Sequence, residues 1–563
     1  MRKWMAVFAL TALCGSGTHA QGNDAALQKK VDAIFAGYDK PDSPGCALGV
    51  IREGALVYSR GYGRANLEHN LPISSKTVFD IGSTSKQFTA ASILLLEQQG
   101  KLSLDDDIRK FVPELPDYGK KIVIRHLVHH TSGLRDYLTL MALAGVDFHG
   151  VTTDADALAI IARQKELNFA PGDEYLYSNS GYFLMAVIVQ RASGKSLRQF
   201  AQAHIFEPLG MTSTHYHNDH AEVTPNRASA YEPKDGGGYR MDMSNFEQTG
   251  DGAVFTTVED LLKWDQNFYE PTVGGAVLLQ SLLTRGRLNS GKELDYATGL
   301  TVRKLRGLST VSHGGSWGGY RAELLRFPEQ RFSVVTLCNL GSTDPSRLAR
   351  QVAIVYLGEK MSPARDRRAA APAAPQDKGA ALAAANLEKY TGVFRDPKNG
   401  GLQRVTLREG KLRIDSFGAN SIELMPLGGD RFALAGAAGA TQFTFEGGAA
   451  AMVVSRATEP PETERYERAE LFAPGPADLA AYAGSYHSEE LDVSYTLEVK
   501  DSKLWLRVLR NPPSELKPAV RDLFVVSFGV RLEFARGSGG GAVRASSFTV
   551  QAGRVRNIRF VRM

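Results

Sequence analysis

The chain has 563 residues, is 43% hydrophobic and 23% charged, and carries a formal net charge of +5. It is too long for a single hydrophobic core, so several domains are expected, each globular in composition. No dense basic run stands outside one Ala-rich stretch, which argues against a nucleic-acid partner, and no segment beyond the leader approaches the ~20 apolar residues that span a bilayer.

The first twenty residues, MRKWMAVFALTALCGSGTHA, have a basic start, an apolar stretch from Trp4 to Leu13 and small residues ending at Ala20. They read as a secretory signal peptide, which predicts a periplasmic or secreted protein. Export would leave Cys46 and Cys338, both in apolar, strand-like surroundings. They could pair in an oxidising compartment, and two buried free thiols are the expectation.

Leu27, Val31, Ile34 and Phe35 recur at helical spacing within 25–38, and a strand pair follows, CALGVIR and ALVYSRGYG around a Glu53-Gly54 turn. Next comes IGSTSKQF at 81–88, opening a helical run that ends at Gly100. On such a helix Ser83 and Lys86 share one face. A serine hydroxyl needs a nearby base to become a nucleophile, and an amine serves only if burial or charge lowers its pKa. The plain alternative is a helix cap beside a solvated lysine.

His129 and His130 precede TSGL and read as turn hydrogen-bonding groups; ELN at 166–168 is taken as coincidental. YSN at 177–179 offers a phenol, Tyr177, and an amide, Asn179, just before a helix-like apolar run. HYHNDH at 215–220 has metal-binding residue types but reads as a solvated loop, so no metal and no cofactor is expected. SHGGSWGGY at 312–320 places His313, Gly314, Gly315 and Ser316 at a strand, where paired glycines admit close backbone approach. Its GGSWG portion is formally a GxSxG elbow, but strand-like rather than helical sequence follows it. Further strands are expected near 308–313, 321–327 and 332–339, then a helix over 345–357. If these strands join the early pair in one antiparallel sheet, the intervening sequence is a helical insertion, an α+β fold.

The Ala/Pro-rich segment 362–385 reads as a linker between a domain over 21–361 and a duplicated tail. In that tail YTGVF at 390–394 and YAGSY at 482–486 are offset like GKLRI at 410–414 and SKLWL at 502–506, and the units end in YER at 466–468 and FVR at 560–562. Two small antiparallel β-barrels are expected, over 386–470 and 475–563. GSGGG at 537–541 reads as a hairpin tip.

Taken together, Ser83-x-x-Lys86, Tyr177-x-Asn179 and His313-Gly314-Gly315 resemble, in order and spacing, the three motifs of the serine β-lactamase and penicillin-binding superfamily, in its class C-like branch of β-lactamases, DD-peptidases, esterases and D-aminopeptidases. The resemblance covers about residues 25–360. It implies that Ser83 is acylated, that Lys86 and Tyr177 move its proton, that Asn179 with Lys86 orients substrate, and that the Ser83 and Ser316 N–H groups form an oxyanion hole. His313 stands where class C β-lactamases carry lysine; histidine there is seen in peptidase and esterase relatives. The tail resembles a D-aminopeptidase layout with two related barrels, in which a loop of the last barrel reaches the active site. The implied partner is a small-molecule or short-peptide substrate, such as a cell-wall fragment, and the runner-up is a slowly deacylating penicillin-binding sensor. Oligomeric state is not legible.

Overall fold

A computed structural model describes residues 17–363, 387–417, 421–435, 441–456, 462–526, 529–536 and 544–563. Most of the leader, most of the 362–385 linker and the GSGGG tip lie outside these.

The helix expected over 25–38 belongs to α1 (Gly17–Phe35), and the strand pair is β1 (Cys46–Arg52) and β2 (Ala55–Tyr62). The helical middle contains α2 (Lys86–Gln98) and α3 (Asn179–Ser193). Then come β3 (Thr301–Leu305), β4 (Leu308–Trp317), β5 (Tyr320–Phe327), β6 (Phe332–Cys338) and α4 (Pro345–Leu357). All six strands form one antiparallel sheet in the order β3-β4-β5-β6-β1-β2, so the two distant strand groups meet as expected. Val31 and Phe35 of α1 and Leu348 and Val352 of α4 cover one face with Leu48, Val50 and Val334. The helical insertion covers the other, which is why β1 and β6 are buried on both sides rather than alternating.

The expectation of free thiols is overturned. Cys46 and Cys338 stand opposite each other in the β1–β6 register and are joined by a disulfide across a sequence separation of 292. Register decides such a pairing, and register between strands so far apart is invisible in spacing.

Each tail unit is a closed eight-stranded barrel, Gly392–Arg395 to Glu462–Ala469 and Gly484–Ser488 to Val555–Arg562. The repeated motifs have matching physical jobs. Tyr390 donates to Asp430, and Tyr482 donates to Asp522 at 2.8 Å. Gly392 and Gly484 sit at φ +142 and +144, where a Cβ would come within 2.6 and 2.2 Å of the Arg468 and Arg562 guanidinium groups. These are the arginines of the terminal YER and FVR, and each hydrogen-bonds backbone carbonyls near its barrel's first strand, closing the barrel. The Gly in YTG and YAG thus makes room for the Arg that ends each unit.

The second barrel docks on the sheet-and-helix domain. Its apolar interior is continuous with the main core, whereas the first barrel keeps a core of its own. At the contact, buried Arg135 pairs with buried Glu490, and the Tyr495 hydroxyl donates to the Leu143 carbonyl at 2.6 Å. No helix among the described residues is long and apolar enough to cross a membrane.

Candidate active site

The segment carrying Ser83 is a 3-10 turn, Gly82–Ser85, which passes directly into α2. Ser83 is not a cap: the flanking residues of turn and helix are Ile81 and Ser85, and neither makes a side-chain cap hydrogen bond. Lys86 Nζ instead donates to Ser83 Oγ at 3.1 Å and to Asn179 Oδ1 at 3.0 Å, and it also donates to the Asp251 carbonyl. Lys86 is fully buried, and that desolvation, opposed by the nearby Asp251 carboxylate, lowers its pKa to about 8. The solvated-lysine alternative is therefore excluded by burial alone.

Tyr177 closes the group. Lys86 Nζ lies 5.0 Å from its ring centroid, and the Ser83 hydroxyl is its hydrogen-bonding neighbour, an influence that lowers a phenol pKa otherwise raised by burial. Behind it, the His130 ring packs at 4.2 Å between centroids, and His130 Nδ1 accepts from the Ser178 N–H at 3.1 Å. His130 is thus a turn-bonding residue, as its position before TSGL suggests, and its turn is the one that aims Tyr177. Asn179 starts α3, and its N–H donates to Asp136 Oδ2 at 2.7 Å.

The third element is β4. Gly315 passes so close to the Gly82–Ser85 turn that a Cβ there would lie 1.8 Å from the Ile81 carbonyl. A Cβ on Gly82, at φ +48, would lie 2.6 Å from Ser316 N. These two glycines let strand and turn touch, and Thr84 Oγ1 fastens them by donating to the His313 carbonyl at 3.1 Å. Ser316 lies in a β4–β5 hairpin opposite Arg321, so the GxSxG stretch is no strand-to-helix elbow.

His313 lines the cleft, but both its ring nitrogens are engaged. Nδ1 donates to the Gly314 carbonyl at 2.7 Å, and Nε2 lies 3.1 Å from the Tyr296 hydroxyl. Burial and the neighbouring Lys86 push its pKa down to about 4, so it is neutral at neutral pH and brings no cation to a substrate.

Ser83, Tyr177, Asn179, His313, Gly314, Gly315 and Ser316 all line one cleft of about 710 Å³, with Lys86 behind Ser83. A hydroxyl that meets both an amine of depressed pKa and a phenol can pass on its proton and become a nucleophile. Residues 31–393 match the Beta-lactamase family. The chain belongs to that family.

Its Beta-lactamase-family relatives extend past the catalytic unit. The chain is 29% identical over 471 residues to a D-aminopeptidase of Gluconobacter oxydans (strain 621H), covering 83% of each chain. It is 29% identical over 414 residues to penicillin-binding protein 4* of Bacillus subtilis (strain 168), covering 69% of this chain and 88% of that one. The octameric penicillin-binding protein homologue from Pyrococcus abyssi shares the fold, with a TM-score of 0.56 at 23% identity over 78% of this chain and 99% of that one. The protein is a serine hydrolase of this Beta-lactamase family.

Some neighbours of the family motifs carried no sequence signal. Asp251 is buried beside Lys86, with its pKa raised by desolvation, and the Tyr137 hydroxyl donates to its carboxylate at 3.2 Å. Arg554 enters the cleft from the second barrel. HYHNDH is only in part the solvated loop expected: Asn218, Asp219 and His220 are exposed, but Tyr216 and His217 are buried, and the His217 ring stacks on Phe255 at 4.3 Å. His215, His217 and Glu222 could together reach a metal, but Arg198 already holds both Glu222 oxygens. ELN ends in Asn168, whose side chain ties the second barrel down at the Arg554 carbonyl and the Arg556 N–H.

Proposed function

We propose that this chain is an exported serine hydrolase that forms an acyl-enzyme on Ser83 with small amide or ester substrates, of D-aminopeptidase, DD-peptidase or esterase type. The observation that carries the reading is the 3.1 Å contact between Ser83 Oγ and the buried Lys86 amine. In this reading Lys86 and Tyr177 accept the Ser83 proton as Oγ attacks the substrate carbonyl, and they return it to the leaving group. Water, deprotonated by the same pair, then cleaves the acyl-enzyme. Asn179 orients substrate with Lys86, and the N–H groups of Ser83 and Ser316 receive the oxyanion; one such donor contributes about 3–4 kcal/mol to the transition state. Gly314 and Gly315 keep the strand edge against the substrate. The leader at 1–20 supports export, and the Cys46–Cys338 disulfide fits an oxidising compartment.

The pH profile follows from Lys86. A base works in its neutral form, and burial lowers the lysine pKa from 10.5 to about 8. The kcat/KM is expected to rise with pH up to about 8 and then level; a lysine acting only as a cation would give a fall there instead.

Intact-protein and peptide mass spectrometry after brief exposure to penicillin or a p-nitrophenyl ester is expected to show acylation on the peptide containing Ser83. The adduct should disappear as turnover of D-amino-acid amides, DD-peptides or esters proceeds. A stable adduct without turnover on any of these would assign the sensor role, and acylation elsewhere would overturn the reading.

A further inference from the structure

A two-residue hairpin of the second barrel, Ala552 to Val555, reaches the cleft. Gly553 turns it at φ +50, and Arg554 lines the cleft with its guanidinium 4.8 Å from the Tyr177 ring centroid. The backbone of this hairpin is clamped. The Arg554 carbonyl accepts from Asn168 Nδ2 at 2.9 Å, and the Arg556 N–H donates to Asn168 Oδ1 at 2.8 Å.

The guanidinium itself is uncommitted. It donates no hydrogen bond to any described residue, and its ion pair with Asp136 is loose, at 3.8 Å. Asp136 is already served by the Asn179 N–H at 2.7 Å and the Thr139 N–H at 3.0 Å. Two other arginines line the cleft, but neither matches this one. Arg321 is spent on the Gly318 and Tyr320 carbonyls, and Arg227 lies over Phe255 beside buried Asp80, away from Tyr177, with its Nε donating to the Tyr320 hydroxyl at 3.5 Å. His313 is neutral. Among the described residues, Arg554 is therefore the cleft guanidinium that lies over the ring of a proposed catalytic group and donates no hydrogen bond.

We propose that Arg554, supplied by the second barrel, is a specificity residue that pairs with a carboxylate on the substrate. A guanidinium with unspent parallel N–H donors suits a carboxylate in a two-point contact, and its place over the Tyr177 ring keeps the fork at the cleft. The second barrel then supplies part of the substrate site. This inference rests on the reading of Ser83 as the nucleophile.

The test uses the full chain and two pairs of esters. Mono-(4-nitrophenyl) glutarate and 4-nitrophenyl butyrate differ by a carboxylate in the acyl part; the butyrate esters of 3-hydroxybenzoic acid and 3-hydroxybenzamide differ by one in the leaving group. In at least one pair, wild type is expected to prefer the carboxylate ester. Arg554→Gln should lower that preference, the ratio of the two kcat/KM values, by about tenfold or more, the weight of a charged hydrogen bond. Arg554→Lys should restore part of it, and Arg554→Glu should invert it. An unchanged ratio in both pairs, or equal losses on charged and neutral members, overturns the proposal. Neutral-ester turnover that survives Ser83→Ala would instead sink the assignment of the nucleophile, so the two failures are distinguishable.

Discussion

Ser83→Ala is expected to lower kcat/KM on every hydrolysed ester or amide by about 10³- to 10⁶-fold, the range for removing a nucleophile that works as a unit with its base. Thermal unfolding should be essentially unchanged. Ser83 Oγ caps no helix; its neighbours are the Tyr177 hydroxyl and Lys86, and Lys86 keeps Asn179 and the Asp251 carbonyl as acceptors when the Ser83 hydroxyl is gone. Activity measured beside the melting curve separates chemistry from folding. Hydrolysis undiminished in the variant would remove Ser83 from the mechanism, whatever the family.

Glu490→Ala should have the largest effect on stability. Arg135 is fully buried, and its guanidinium faces Glu490 across the contact between catalytic unit and second barrel. Gln164 Oε1 at 3.1 Å and the Asn557 carbonyl at 3.2 Å satisfy other donors but bring no charge. Removing Glu490 leaves this buried cation with only the exposed Glu166 carboxylate, loosely placed at 3.8 Å, and breaking such a buried pair costs about 3–5 kcal/mol. The expected result is a lower melting midpoint, or an earlier transition in which the barrel separates. The double change Arg135→Met with Glu490→Met should recover most of that loss, because no buried charge is left unpaired. A single variant that melts like wild type would show that the pair does not hold the contact.

The α+β plan was legible because hydrophobic periodicity and turn residues act locally. Strands over 46–62 and 308–338 and the helix over 345–357 are written in their own residues. The tail duplication was legible because two copies of one barrel repeat the same requirements, down to the glycine that admits the closing arginine. The candidate site was also largely readable. Ser83, Lys86, Tyr177, Asn179 and the His313–Ser316 stretch do converge, since short motifs encode helix starts and close backbone approach.

What the sequence could not give depends on long-range register and docking. Histidine at 313 read as a group that could charge near neutrality; only burial and the Tyr296 contact make it neutral. Cys46 and Cys338 became partners only when β1 and β6 were set side by side. Arg554 sits in an ordinary hairpin, 377 positions beyond the tyrosine it covers, and acquires its place from Asn168 and Glu490, residues whose own partners are just as remote. The amino-acid sequence by itself determined the elements, the duplication and the motif residues that meet in the cleft. Which charges are buried, which thiols meet and which barrel reaches the cleft were decided only by tertiary packing, because desolvation and contact across domains are properties of the assembled fold and of no local stretch of chain.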